Sequence, residues 1–258
     1  MLNIKNLQIS YGKHEVLKGI DLSVKKGEVV SFIGPSGTGK TTLLKCINYL
    51  EKPQEGEIQL GDLHLNYKNL KKQDILKLRR KTAMVFQMFN IFKHKTIVQN
   101  VMDAQIAVQK KSKEEAYEKS YKELEKVGLI DKIDEYPSSL SGGQLQRVGI
   151  ARGLALEPEL ILFDEPTSAL DPELVEEVLR VIENVANSGM TTLLVTHEMD
   201  FARSISDKVV FMENGYIVEQ GTPDQIFVNS ENVRTRQFLK NYYAKQEQQA
   251  IKIKEKGS

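Results

Sequence analysis

Nine consecutive residues, Gly34-Pro35-Ser36-Gly37-Thr38-Gly39-Lys40-Thr41-Thr42, combine glycines, hydroxyls and one lysine, with little to place in a core. Such a stretch suits polyphosphate. Glycines let backbone N–H groups turn inward, and a helix N-terminus adds unpaired donors and partial positive charge. Lys40 would then reach the β- and γ-phosphates, and the Thr41 hydroxyl would ligate Mg²⁺. A metal site also needs a carboxylate at a strand end, which LILFDE supplies as Asp164, with Glu165 beside it as a general base for water. No Asn-Lys-x-Asp segment is present to read guanine, which favours ATP over GTP. His197 ends TTLLVTH in a position like that of Asp164, and suits either a structural or a ligand-facing role.

A second anion-seeking feature is Leu140-Ser141-Gly142-Gly143-Gln144. Ser141 and Gln144 have capping-box spacing, and the two glycines leave helix N–H groups uncovered. Spacing alone leaves open whether both anion sites face one nucleotide.

The elements that must position these residues follow from periodicity. Ile4, Leu7 and Ile9, then Ile20, Leu22 and Val24, alternate around a turn at Tyr11-Gly12-Lys13-His14, predicting an antiparallel start. EVVSFI (28–33) reads as a strand feeding the glycine loop, and Leu43, Leu44, Ile47 and Leu50 as the helix after it. Residues 108–127 read as a charged amphipathic helix, capped by Ser112 and Glu115, with Tyr117, Tyr121 and Leu124 as its apolar stripe. From about Phe89 to Glu157 no strand is evident. Alternation then resumes with LILF (160–163), a helix Pro172–Val185, TTLLVT (191–196), Val209–Met212 and a turn at Asn214-Gly215 into YIVEQ. This alternation predicts a largely parallel, helix-flanked sheet. After Tyr243 the sequence is polar and lysine-rich, and reads as a frayed helical or disordered tail.

The bulk numbers limit the partners. The 258 residues carry 36 basic and 35 acidic side chains, net charge +1, which gives no electrostatic case for nucleic acid. No apolar run approaches the roughly 18 residues of a membrane span, and MLNIKNLQIS is not laid out as a signal peptide. A single cysteine, Cys46, fits a reducing cytosol. The expectation is a cytoplasmic protein that reaches a membrane only through another chain.

GPSGTGKTT, LSGGQ, LILFDEP and VTH, in that order, resemble the ATP-binding subunit of an ABC transporter over residues 1 to about 240. The resemblance implies an α/β, RecA-like P-loop core (about 1–88 and 158–240) with an N-terminal antiparallel β subdomain. A helical insertion (about 89–157) would carry LSGGQ, and 241–258 would be a polar tail. It also implies a head-to-tail homodimer, each ATP lying between one P-loop and the partner's Ser141, Gly142, Gly143 and Gln144. Tyr11 would stack on adenine, Gln87 would join Mg²⁺ and water to the permease contact, His197 would meet the γ-phosphate, and Asp171 would cross the dimer interface. The alternative for Tyr11 is a hairpin packing residue; without the resemblance, Gln87 reads as an exposed polar loop residue.

Departures are few: Thr38 where serine is commoner, Leu145 where a polar residue is usual, and Gly149 and Gly153 inside the LSGGQ helix, where glycine loosens a helix. QMFNIFKHKTIVQNVM, VTHEMDFAR and VRTRQFL are similar to the polar amino-acid import branch; TAMVFQ, HKT with NVM, and IVEQGTP are most similar to cystine-import ATPases. The implied function is ATP hydrolysis that drives import through a separate permease, with an extracellular solute-binding protein as an indirect partner. Glutamine-, histidine- or arginine-type import is the nearest alternative. A non-transport ABC ATPase fits less well, because Lys40 to Leu140 leaves no room for a long coiled coil and only one cassette is present. A non-enzymatic regulator is disfavoured by the intact Glu165 and His197.

Overall fold

The computed structural model describes the backbone of residues 1–256 and the side chains of residues 1–244. Strands β1 (Leu2–Tyr11), β2 (His14–Val24), β4 (Glu55–Leu60) and β5 (Leu63–Asn66) form an antiparallel sheet in the order β2-β1-β4-β5. In β1 the buried residues change phase, from Leu2 and Ile4 to Leu7 and Ile9. A strand buries every second residue, so the three-residue step from Ile4 to Leu7 requires an extra one. The register shifts there, and Asn6 takes φ +48°.

The second sheet has the order β10-β9-β3-β8-β7-β6, built from β3 (Val29–Ile33), β6 (Thr82–Val85), β7 (Leu160–Asp164), β8 (Thr192–Val195), β9 (Lys208–Glu213) and β10 (Tyr216–Gly221). All its pairings are parallel except the β9–β10 hairpin. Every residue of β3, β7 and β8 is buried, as expected of parallel strands covered on both faces. One core joins the two sheets to α1 (Lys40–Ile47). The connection from β5 to β6 runs through α2 (Lys72–Lys81).

No strand interrupts residues 89–157. This region holds α3 (Ile97–Ala107), α4 (Lys113–Lys126) and α5 (Gly142–Leu154), which share a second core with α6 (Pro172–Asn187). On α6, Val178, Val181, Ile182, Val185 and Ala186 form one buried stripe at helical spacing. A third core closes over β9 with α7 (Met199–Ile205), α8 (Pro223–Phe227) and the first half of α9 (Val233–Lys256). The helix continues through residues 241–256; the last two residues of the expected tail lie outside the described residues.

Three local expectations are corrected. The helix read over 108–127 begins only at Lys113, where Ser112 and Glu115 form the capping box. Its inward face is Ala116, Ser120, Glu123 and Leu124, whereas Tyr117 and Tyr121 are exposed. Glu123 tolerates burial because Lys119 and Lys126 both pair with it. Leu50 lies beyond the end of α1 and is exposed.

Candidate functional site

The glycine loop follows β3 directly, and two of its glycines are demanded by neighbouring backbone and side chains. Gly34 has φ +139°, and a Cβ there would stand 2.1 Å from the Met212 carbonyl oxygen on β9. Gly39, the N-cap of α1, has φ +99°; a Cβ would stand 2.7 Å from Leu17 Cδ2. Neither position admits a side chain. Gly37, at the tip between Ser36 and Thr38, faces open space. No side chain caps α1, so its first N–H groups are left for another acceptor.

Within the loop, the Thr38 hydroxyl donates to the Pro35 carbonyl at 2.9 Å, and Lys40 Nζ donates to the Gly34 and Pro35 carbonyls at 2.8 and 2.7 Å. Burial holds the Lys40 ammonium below the usual lysine range, opposed by Glu165 and Asp164. Thr41 Oγ1 donates to Asp164 Oδ1 at 2.6 Å, joining the start of α1 to the end of β7. Burial raises the Asp164 carboxyl, against the lowering effect of the Thr41 bond. Glu165 follows at φ +46°, a left-handed conformation uncommon outside glycine. Its N–H donates to the Val195 carbonyl at 2.9 Å. His197 Nε2 lies 3.1 Å from Glu165 Oε1, and this hydrogen bond is the chief reason the Glu165 carboxyl sits below its ordinary range.

Sheet order explains why distant segments meet. β8 lies between β3 and β7, so the loop after β3, His197 after β8 and Asp164-Glu165 at β7 hang from neighbouring strand tips. Ligands of open α/β sheets bind at that end. Gln87 is exposed two residues beyond β6, whose last residue, Val85, pairs with Phe163 next to Asp164 on β7. Tyr11 ends β1, half exposed; burial and a hydrogen bond to Glu51 push its phenol up to about 12, with Thr42 also in reach. A groove of about 420 Å³ continues from Gly34, Pro35, Ser36 and His197 to Arg234 and Gln237 on α9.

The arrangement suits phosphoanhydride chemistry: a lysine and helix N-terminus for anionic oxygens, and a carboxylate held ionised by a histidine for water. The Thr41 hydroxyl and Asp164 carboxylate offer two hard oxygens, which fits Mg²⁺ arriving with phosphate oxygens and water. Among the described residues no group of three or more His, Cys, Asp or Glu would hold an ion alone.

Ser141, Gly142, Gly143 and Gln144 form a separate group at the start of α5. The expected capping box is present, Ser141 N–H donating to Gln144 Oε1 at 2.9 Å and Gln144 N–H to Ser141 Oγ at 3.3 Å. A Cβ on Gly142 or Gly143 would stand 3.2 Å from Leu170 or Leu174, so the glycines sit against the segment that carries exposed Asp171. No hydrogen bond among the described residues links this group to the loop at Gly34–Thr42. Sequence reasoning missed Gln146 and Arg152, whose partners are main-chain carbonyls and leave no mark in the sequence.

The profile described as ABC transporter matches residues 17–168, more than half of the chain. The L-cystine import ATP-binding protein TcyN of Bacillus subtilis is 55% identical over 240 residues, 93% of each chain. The histidine/lysine/arginine/ornithine transport ATP-binding protein HisP of Escherichia coli is 50% identical over 248 residues, 93% of this chain and 96% of that one. Among solved structures, CbiO1 of Clostridium perfringens, part of an ABC transporter complex, superposes with TM-score 0.79 at 31% identity, covering 89% of this chain and 91% of that one. A bacterial ABC transporter cassette solved as a dimer gives TM-score 0.76 at 34% identity, with 86% and 99% coverage. On the assembled phosphate loop, the strand-end carboxylates and this likeness along nearly its whole length, the chain belongs to the ABC transporter family as one of its ATP-binding members.

Proposed function

We propose that the chain is the ATP-hydrolysing subunit of an importer for a polar amino acid, with L-cystine as the substrate, acting as a homodimer on a separate membrane permease. The observation that carries the reading is the division of the site: Lys40, Thr41, Asp164, Glu165 and His197 converge, while Ser141–Gln144 begin α5 elsewhere on the same chain, with Ser141 exposed. Two anion-seeking helix ends that do not meet within one chain can meet across two, P-loop to signature. The cassette solved as a dimer supports this arrangement.

In this mechanism Gly34–Thr42 wrap the phosphates of ATP, Tyr11 stacks on adenine, and Lys40 turns from the Gly34 and Pro35 carbonyls to the β- and γ-phosphate oxygens. Thr41, Asp164 and Gln87 would hold Mg²⁺, which would neutralise charge on those oxygens. Glu165, ionised at neutral pH, accepts the proton of a water whose oxygen bonds to the γ-phosphorus as the bridging P–O bond breaks. His197 holds that carboxylate and faces the γ-phosphate. Asp171 lies at the dimer interface.

The permease docks on the groove of about 400 Å³ beside Gln87, lined by Met88, Phe89, Ile91, Pro137 and Leu145. Leu145, at a position where the family usually has a polar residue, becomes part of that apolar seat. Among the described residues no helix is long and apolar enough to cross a membrane, in keeping with peripheral attachment at the cytoplasmic face through the permease. An extracellular solute-binding protein would select the solute, and nucleic acid has no part in this reading.

Cystine rests on the identity to TcyN and to a second L-cystine import ATP-binding protein, TcyC, also 55%. Arginine, histidine or glutamine is the second reading, favoured by relatives at 50%. The test is labelled cystine uptake in source cells lacking the chain, complemented with wild type or Glu165→Gln. Restoration by wild type only, competed by unlabelled cystine but not by arginine, histidine or glutamine, is expected. Cystine uptake that never depends on the chain removes cystine and directs the same assay to the other amino acids.

A further inference from the structure

Beyond β6 the chain enters a short irregular segment, residues 86–90, that carries exposed Gln87 and Met88. One helix grips it from behind, and that helix is α5. Gln146 Nε2 donates to the Phe86 carbonyl at 3.0 Å. Arg152 donates through Nη1 to the Asn90 carbonyl at 2.7 Å and through Nη2 to the Phe89 carbonyl at 3.3 Å. At the head of the same helix, a Cβ on Gly142 would stand 3.4 Å from the Phe89 ring. The grips at 146 and 152 are six residues apart, roughly 9 Å along the axis, so the segment is fixed at two heights rather than pinned at a point.

These attachments come at an energetic cost. The Arg152 side chain is half-buried and forms no ion pair among the described residues; partial burial lowers its proton affinity, opposed only by Asp103. Gln146 is fully buried, and its Oε1 has no hydrogen-bond partner. A partly desolvated charge without a carboxylate partner and a buried amide half satisfied both oppose folding. Charge-assisted bonds to two main-chain carbonyls offset part of this. Met or Leu would fill the same volume without either penalty, so packing alone does not account for these two residues.

We propose that Arg152 is a positioning residue, with Gln146 as a second tie, that fastens residues 86–90 to α5 so that the two move as one body. Displacement of Met88 and Phe89 is then delivered directly to Ser141–Gln144 at the other end of α5. The proposal rests on the reading that a permease docks beside Gln87, but the tie itself is a property of the isolated chain and is testable there.

The experiment compares full-length wild type, Arg152→Ala, Arg152→Lys and Gln146→Met by amide hydrogen exchange, by ATPase of the isolated chain, and by permease-dependent uptake in complemented cells. Arg152→Ala should speed exchange at residues 86–91 by roughly tenfold or more while β1 and β3 amides keep their wild-type rates. Because Gln87 lies in the freed segment, isolated ATPase should fall by about two- to threefold, whereas uptake should fall by roughly tenfold or more. Arg152→Lys, able to keep one of the two bonds, should lie between. If Arg152→Ala does not fold, Arg152→Lys and Gln146→Met carry the same comparison. Unchanged exchange at 86–91, or isolated ATPase and uptake falling by the same factor, overturns the proposal. Failure of the import reading is distinct: wild-type chain then supports no amino-acid uptake, while the exchange result still decides whether the tie exists.

Discussion

Glu165 holds a left-handed backbone, a half-buried carboxylate and a histidine partner within one residue. A non-glycine residue held at such a φ costs about 1–3 kcal/mol and persists only where its surroundings fix it. Here they do, through the N–H bond to the Val195 carbonyl and the Ser168 hydroxyl bonded to its own carbonyl at 2.9 Å. From this backbone the side chain meets His197. Because the His197 bond is the main cause of the lowered carboxyl, its loss should let Glu165 rise toward the ordinary glutamate range. A base with a lowered value stays ionised until acid reaches that value. The acid limb of the kcat–pH profile should therefore move to higher pH in His197→Ala, apart from any drop in the plateau. An acid limb that stays in place would mean that the imidazole does not hold the carboxylate. The placement of Glu165 and His197 at strand ends was legible from the sequence because each lies two residues beyond an apolar run. The left-handed turn at Glu165 was not, since the constraint comes from a strand thirty residues away.

At the scale of elements, the buried parallel strands were the most readable. EVVSFI, LILF and TTLLVT are continuous apolar runs because both faces are covered. The pair β4 and β5 went unread, because EGEIQL and LHLN bury only Ile58 and Leu60 fully and show little period. α2 is similar, with Leu78 its only buried residue. α4 misled in the other direction: its tyrosines look like a stripe, and an inward glutamate satisfied by two lysines looks outward. α5 supplies the test for this scale. A Cβ on Gly153 would meet Ala83, Val85 and Ile161 at 3.5–3.8 Å, ordinary contact distances, so the helix does not need glycine for clearance. Gly153→Ala should stabilise the protein by about 0.5–1 kcal/mol through helix propensity and a less flexible unfolded chain. Urea unfolding measures this, and a destabilised variant would show that α5 cannot accept even a methyl against β6 and β7.

Three cores adjoin the six-stranded sheet, and the third had the weakest sequence signal. Its members come from β3, β9, α7, α8 and α9, spread over some two hundred positions, and α9 supplies Leu239 with Phe238 and Tyr242 against it. Leu239→Ala should cost about 2–4 kcal/mol in denaturant unfolding. A loss below about 0.5 kcal/mol would instead place α9 outside the cooperative unit. The same sheet changes how the opening glycine of the phosphate loop is to be understood. The Met212 carbonyl fills the space that a side chain at position 34 would need, so this glycine answers to the neighbouring strand before any nucleotide arrives. A descendant that had lost all use for ATP would still have to keep it. Its presence in a distant relative is thus a record of strand neighbourhood, and the evidence that such a relative still turns over ATP must be sought at the residues proposed for hydrolysis, Glu165 and His197.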